Sequence, residues 1–238
     1  MHRTSWDGRY TGATIFPGIV LEGGDPRRGP WAPPGRYRVR LTAFGAGLGA
    51  TGTVTETQDL VLTGDPRLAD VSDDDLRAQF VLAKQIRDKE SAANEAVIRV
   101  RAIRAELVAR KTEAVRLASA ANSTVTAAMI DRITSAAEPL EREMGAVEQE
   151  IYQVKNQSPK DKIAFPIRLN DRLTGLRANL EQGDERPTPA YQRVYTELAR
   201  ELDAQLGKLD LTLRHNLARL NDALRAAGLA PIAGGPAM

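Results

Sequence analysis

Glycine divides this chain more sharply than any other residue. Twelve of the 19 glycines fall in residues 1–71, and only five lie between Ser72 and Gly228. Glycine weakens a helix and eases a turn, so the first stretch reads as strands and turns and the second as long helices. Six of the 13 prolines and both tryptophans also fall in residues 1–71. The expected fold is mainly α with a small β part. It divides into a β-module over 1–71, a helical bundle over 72–228 and a flexible tail over 229–238.

The helical half carries the stronger pattern. Ser72 stands three residues before Asp75, a capping-box spacing, and Asp73 and Asp74 suit the positive end of a helix. Leu82, Ile86, Ala93, Val97, Val100, Ile103 and Leu107 then form a stripe that runs toward residue 118. Ile130, Ile133, Ala137, Leu140, Met144, Val147, Ile151 and Val154 alternate steps of three and four, a coiled-coil seam. Pro139 lies inside it and is expected to kink or split that helix. A third helix carries Leu169, Leu173, Leu176 and Leu180 and stops near Gly183. The fourth starts at Thr188 with Pro189 in its first turn and ends at Gly228. Its stripe is Tyr195, Leu198, Leu202, Leu209, Leu213, Leu220 and Leu224, and at 1.5 Å per residue it is roughly 60 Å long. Helices of this kind bury their stripes against one another, which predicts an elongated antiparallel bundle.

In the first part, Tyr37, Val39 and Leu41 alternate with Arg36, Arg38, Arg40 and Thr42, the period of a strand with one buried and one wet face. Ala13–Leu21 and Thr51–Leu62 are rich in β-branched residues and read as further strands, with Trp6 on a short one before them. Pro33-Pro34-Gly35 is the turn that launches the Tyr37 strand. About four strands make a partial Ig-like β-sandwich, because the complete form uses about seven. The module is therefore expected to expose a strand edge, and residues 1–35 to be its least protected part.

Charge points to no polyanionic partner. The pI is near 9.0, yet the net charge is only +2. With no cysteine and two histidines, little titrates near neutrality and a small basic excess lifts the pI far. Basic and acidic residues are spread evenly, eight against seven in residues 1–71. The missing cysteines exclude disulfides and thiolate metal sites, and His2 and His215 are too far apart to suggest a local metal pair. No run approaches the ~18 apolar residues of a membrane helix, and Met1 is followed by no signal-peptide pattern.

Several motifs carry a chemical reading and a plainer one. Gly47-Leu48-Gly49-Ala50-Thr51-Gly52 matches the dinucleotide fingerprint and follows a strand. The β-branched run Thr53–Thr57 follows where the phosphate site needs a helix N-terminus, so a connection between antiparallel strands is the better reading. Glu141/Glu143 and Glu148/Glu150 resemble acid–base pairs but fall outside the seam and read as solvated surface. His215, beside the Leu213 stripe, reads as partly exposed or capping. Arg99, Arg101, Arg104, Arg110, Lys111 and Arg116 outnumber Glu106 and Glu113 on the first helix. That face suits phosphates, but with no interleaved aromatics a solvated helix face is favoured. Asn122-Ser123-Thr124 and Asn156-Gln157-Ser158 match glycosylation sequons, a short pattern of little weight. No catalytic, cofactor-binding or metal-ligating residue is expected, and no cofactor.

One set of segments has a familiar look. Trp6-Asp7-Gly8-Arg9-Tyr10 is followed by Phe16-Pro17-Gly18, Gly29-Pro30 and Ala32-Pro33-Pro34-Gly35-Arg36-Tyr37-Arg38-Val39. This resembles the Ig-like strand module of flagellar-hook-capping-type and related bacterial domains. Asp65-Pro66-Arg67, the Phe80 to Asp88 segment, Tyr152 to Ser158 and Phe165 to Asn170 extend the likeness along nearly the whole chain. The whole resembles the C-terminal region of large bacterial secreted proteins with a sortilin-like, BNR/Asp-box β-propeller, often labelled glycosyl hydrolase or sialidase-like. The propeller and its Asp-box repeats have no counterpart in this sequence, so no catalytic residue carries over. The resemblance implies an extracytoplasmic, non-catalytic structural or interaction segment that normally accompanies a propeller. Its expected partner is a protein: the propeller domain, or a second copy through the β-edge. The alternatives are a fragment of a glycoside hydrolase and a weak nucleic-acid binder acting through the basic face of the first helix.

Overall fold

The protein is described by a computed structural model over residues 5–45 and 52–234. It is mainly α with a small β part. The bundle has three legs. The first is α1 (Asp73–Ala118), opened by a capping box in which the Ser72 hydroxyl accepts from the Asp75 N–H while the Asp75 carboxylate accepts from the Ser72 N–H. The second leg is α2 (Ala127–Ile151) and α3 (Leu169–Leu180), laid end to end. The third is α4 (Pro189–Thr212), a π-helical turn over Leu213–Leu217, and α5 (Ala218–Ala226). Gly228 ends this leg at a φ of 72°, a left-handed conformation that glycine adopts without steric cost.

Cross-links set the directions of the legs. Lys111 meets Glu141 and Arg101 meets Glu148, then Asn94 meets Asn170 and Glu90 meets Arg177, so the second leg descends along α1. Lys89 meets Asp203 and Arg99 meets Asp210, so the third leg climbs parallel to α1 and antiparallel to the second. The expected stripes form the core, except at Val154, which lies beyond the end of α2 and is exposed. Ile86, Val97 and Leu107 of α1, Leu140, Met144 and Ile151 of α2, Leu173 of α3, and Leu202 and Leu209 of α4 are all buried in one cluster. Pro139 does not split α2, which runs unbroken from Ala127 to Ile151. Ala137 and Leu140 on either side are fully buried, and that packing outweighs the one hydrogen bond proline removes.

Residues 229–234 are not a free tail. Leu229 and Ile232 join the core, and Asn221 exchanges two hydrogen bonds with the Ile232 backbone, at 2.8 and 3.0 Å. Arg110 and Arg99 hold the carbonyls of Ala230 and Gly234. Residues 235–238 lie outside the described residues.

The β part consists of two separate two-stranded antiparallel sheets. One pairs β1 (Arg9–Thr11) with β2 (Arg28–Trp31), and the other pairs β3 (Gly35–Phe44) with β4 (Thr53–Leu62). The second is fully in register from Gly35↔Leu62 to Phe44↔Thr53. Three expectations change here. Ala13–Leu21 forms no strand; its backbone bonds to side chains instead, Thr14 to Ser91 and Asn94 on α1, and Val20 to Tyr152 and Asn156 just beyond α2. Trp6 precedes β1 rather than sitting in a strand, its indole N–H donating to the Arg9 carbonyl. The alternation in β3 has no buried side: Val39 is 51% and Leu41 64% exposed, because among the described residues no helix packs along this hairpin.

Candidate functional site

Residues 9–32 are fastened to the helices by a buried polar clasp. Arg177 of α3 points its guanidinium inward, with Nε 3.1 and 3.3 Å from the two oxygens of Glu90 on α1. Both side chains are essentially without solvent contact. Arg177 also reaches the Glu181 carboxylate at 3.1 Å and donates to the Asp25 carbonyl. Glu181 accepts from the Trp31 N–H at 2.9 Å and meets Arg9, whose guanidinium lies 3.7 Å over the Trp31 ring. Burial pushes the Glu90 carboxyl up to about 7, and the Arg177 charge and hydrogen bond hold it from rising further. Asp171 makes a second fastening, its carboxylate accepting from the Glu22 and Gly23 N–H groups. Phe16 makes a third, edge-on to Tyr152 at 5.0 Å under the Arg101 guanidinium.

The clasp was readable as an anomaly of spacing. Ile86, Glu90, Ala93 and Val97 continue the α1 stripe through Glu90, and Leu173, Arg177 and Leu180 do the same through Arg177. A charge on a seam position is buried and needs a partner, but the stripe does not say which one.

Beyond the clasp stands the β3–β4 arm, each strand ten residues long. Its register puts Tyr37, Val39, Leu41, Val54, Leu60 and Leu62 on one face, with Gln58 and Glu56 among them. The other face carries Arg36, Arg38 and Arg40 from β3 and Asp59 from β4, with Arg38 and Asp59 paired at 3.1 Å. A cleft of about 540 Å³ lies at the base of the arm, lined by Trp31, Pro34, Leu62, Leu76, Phe80 and Glu181.

The sequence motifs resolve as structure. Gly47 to Thr51 lie outside the described residues, and the strands flanking them pair antiparallel, with no helix following Gly52. Glu141 and Glu150 reach Lys111 and Arg168. Glu143 accepts from Thr212 and Asn216 across the π-helical turn. Glu148 is not solvated surface; it is buried between Arg101 and Arg104, which supply the two cations its burial requires. The six residues of the candidate basic face of α1 are all engaged within the chain: Arg101 and Arg104 by Glu148, Lys111 by Glu141, Arg116 by Glu113, Arg99 and Arg110 by the C-terminal carbonyls. His215 is exposed, on the rim of a groove of about 620 Å³ with Glu143 and Lys208. Asn156 of the second sequon is buried and donates to the Val20 carbonyl. Among the described residues no cluster of His, Asp and Glu has the makings of a metal site, and no helix is long and apolar enough to cross a membrane.

Fold and site together define a class: an elongated three-legged helical bundle that carries a projecting β-arm. The chain matches no family model, no curated protein and no solved structure.

Proposed function

We propose that the chain is a non-catalytic interaction segment that accompanies a β-propeller protein and docks through the apolar face of the β3–β4 arm. The observation that carries the reading is the exposure of that face. Val39, Leu41 and Val54 of that face are all exposed. A two-stranded hairpin is marginal in water by itself and gains from a third layer or strand. Adjacent exposed apolar residues on a rigid support mark a protein contact more often than a catalytic centre. The resemblance to the region beyond a propeller makes that propeller the partner.

The hydrolase alternative needs two carboxylates converging roughly 5–9.5 Å apart in a cleft. The acids with suitable spacing are instead engaged by Lys111, Arg101, Arg104, Arg168, Thr212 and Asn216. The nucleic-acid alternative loses support because the basic residues of α1 spend their charge on intramolecular partners.

The test compares the full chain with a variant in which residues 36–61 are replaced by a short Gly-Ser turn, which Gly35 and Leu62 permit because they face each other. Each is titrated against a purified β-propeller protein of the same organism by biolayer interferometry, and assayed on a panel of aryl glycosides and sialosides. Binding by the full chain alone, with no turnover above a boiled control, is expected. Equal binding by the armless variant overturns the docking reading. Turnover that vanishes with one carboxylate overturns the non-catalytic one.

A further inference from the structure

The arm has two open edges, and they differ in charge. The Gly45 N–H donates to the Gly52 carbonyl directly opposite, which sets the phase of the ladder. From that phase Val54, Glu56, Gln58 and Leu60 turn their backbone groups toward β3. Thr53, Thr55, Thr57, Asp59 and Val61 turn theirs to the open edge. On the other side, the residues facing outward are Arg36, Arg38, Arg40, Thr42 and Phe44. An edge of unpaired N–H and C=O groups recruits a strand unless charges guard it.

We propose that a second copy of this chain pairs along the β4 edge, antiparallel, with Thr57 on the two-fold axis. The inference rests on the reading of the arm as the interaction element, and it uses an edge, leaving the apolar face free for the partner above. In this register Thr57 faces Thr57 of the second copy, Glu56 faces Gln58, Thr55 faces Asp59, Val54 faces Leu60 and Thr53 faces Val61. No like charges oppose one another, threonine hydroxyls meet a threonine and a carboxylate, and the apolar pairs coincide. Cross-strand pairs of this kind stabilise a sheet, while like charges directly opposite weaken it. Moving the axis one residue toward the N-terminus sets Glu56 against Glu56, and two residues toward the C-terminus sets Asp59 against Asp59.

The β3 edge refuses the same partner. Its longest registers set Arg38 against Arg40, or Arg40 against Arg40. A second copy is thereby directed to β4, and the product is a closed four-stranded sheet ordered β3–β4–β4–β3 with arginine-guarded outer edges. Its two-fold axis keeps corresponding faces together, so the apolar residues of both arms form one surface. The two bundles then lie at opposite ends of the sheet, because each arm joins its bundle at Gly35 and Leu62 and the arms run antiparallel.

The chain has no cysteine, so single-cysteine cross-linking has no background. Sedimentation of the full chain over a concentration series is expected to show a monomer–dimer equilibrium. Thr57→Cys is expected to give a disulfide-linked dimer under mild oxidation, and Arg38→Cys none. Thr57→Pro removes an N–H that serves the open edge alone, so the dimer is lost while helical circular dichroism is kept. Thr57→Glu, which leaves the β3 ladder untouched, weakens the dimer roughly fivefold or more through like charges on the axis. A monomer at every soluble concentration overturns the inference, as does cross-linking at Arg38→Cys or a dimer indifferent to both Thr57 variants. Those outcomes leave propeller binding to be read separately, and Leu41→Ser on the apolar face disturbs that binding without touching the β4 edge.

Discussion

Residues 9–32 and residues 35–62 are consecutive stretches of opposite build. The first is irregular, with two strands of three and four residues, and it is the one embedded in the molecule. Asn94, Ser91, Asp171 and Arg177 from the helices, with Tyr152 and Asn156 from the segment after α2, take up its backbone groups. The second is a regular hairpin of two ten-residue strands in perfect register, and beyond its base, where Tyr37 meets Trp6, no described element packs along it. Regularity and burial are thus separate properties. A hairpin pairs half of its backbone groups across its own ladder and leaves the other half to water, so it needs no side chains from the bundle to receive them. An irregular segment leaves its N–H and C=O groups orphaned, and it survives only where side chains from elsewhere receive them.

Removing the clasp tests this contrast most severely. Arg177→Ala leaves Glu90 buried without its cation and is expected to cost about 3–5 kcal/mol above neutral pH. The same variant should raise hydrogen exchange across residues 9–32 while leaving residues 35–62 unchanged. Chemical denaturation and exchange mass spectrometry read the two effects. Unchanged exchange in residues 9–32 would show that Asp171 and Phe16 hold the segment without the clasp.

The second effect is a pH dependence of unusual sign. Glu90 sits at about 7 in the folded chain against 4.5 for an ordinary glutamate, so the folded state binds the extra proton between those values. Its contribution therefore grows as pH falls from about 7 to about 4.5, is complete below that, and is lost as pH rises through about 7. At about 1.4 kcal/mol per unit the full span is on the order of 3 kcal/mol. Glu90→Gln is expected to flatten this part of the stability profile, and a wild-type profile already flat there would mean that Arg177 keeps Glu90 charged.

The smallest effects compare one residue from each stretch. At Gly23 an added Cβ would lie 2.6 Å from the Asp171 carbonyl and 2.7 Å from the Gly175 nitrogen, both backbone atoms with no room to give. Gly23→Ala is expected to destabilise by roughly 1–3 kcal/mol. Leu41→Ser in the arm should stay within about 0.5 kcal/mol in the monomer, since Leu41 is already exposed. Equal melting temperatures for these two variants would erase the distinction between the embedded stretch and the free one.

What the sequence by itself determined is what depends on near neighbours. The capping box at Ser72, the seams of α1 to α4, the stop at Gly228 and the pairing of β3 with β4 all follow from spacings of a few residues, and a helix or a hairpin closes its hydrogen bonds within such spans. Tertiary structure decided the rest. The alternation Tyr37, Val39, Leu41 states which side chains share a face, yet whether anything covers that face depends on an element elsewhere in the chain, and among the described residues nothing covers Val39 or Leu41. Residues 13–21 look like a strand because they are β-branched, but the groups that receive their backbone lie on α1 and beyond α2. The seam positions of Glu90 and Arg177 mark each as a buried charge in need of a partner; which partner is decided only because α3 descends along α1 and brings the two, 87 residues apart in sequence, within 3.1 Å. Local periodicity sets the elements, and only their meeting decides which charge is neutralised and which face stays bare.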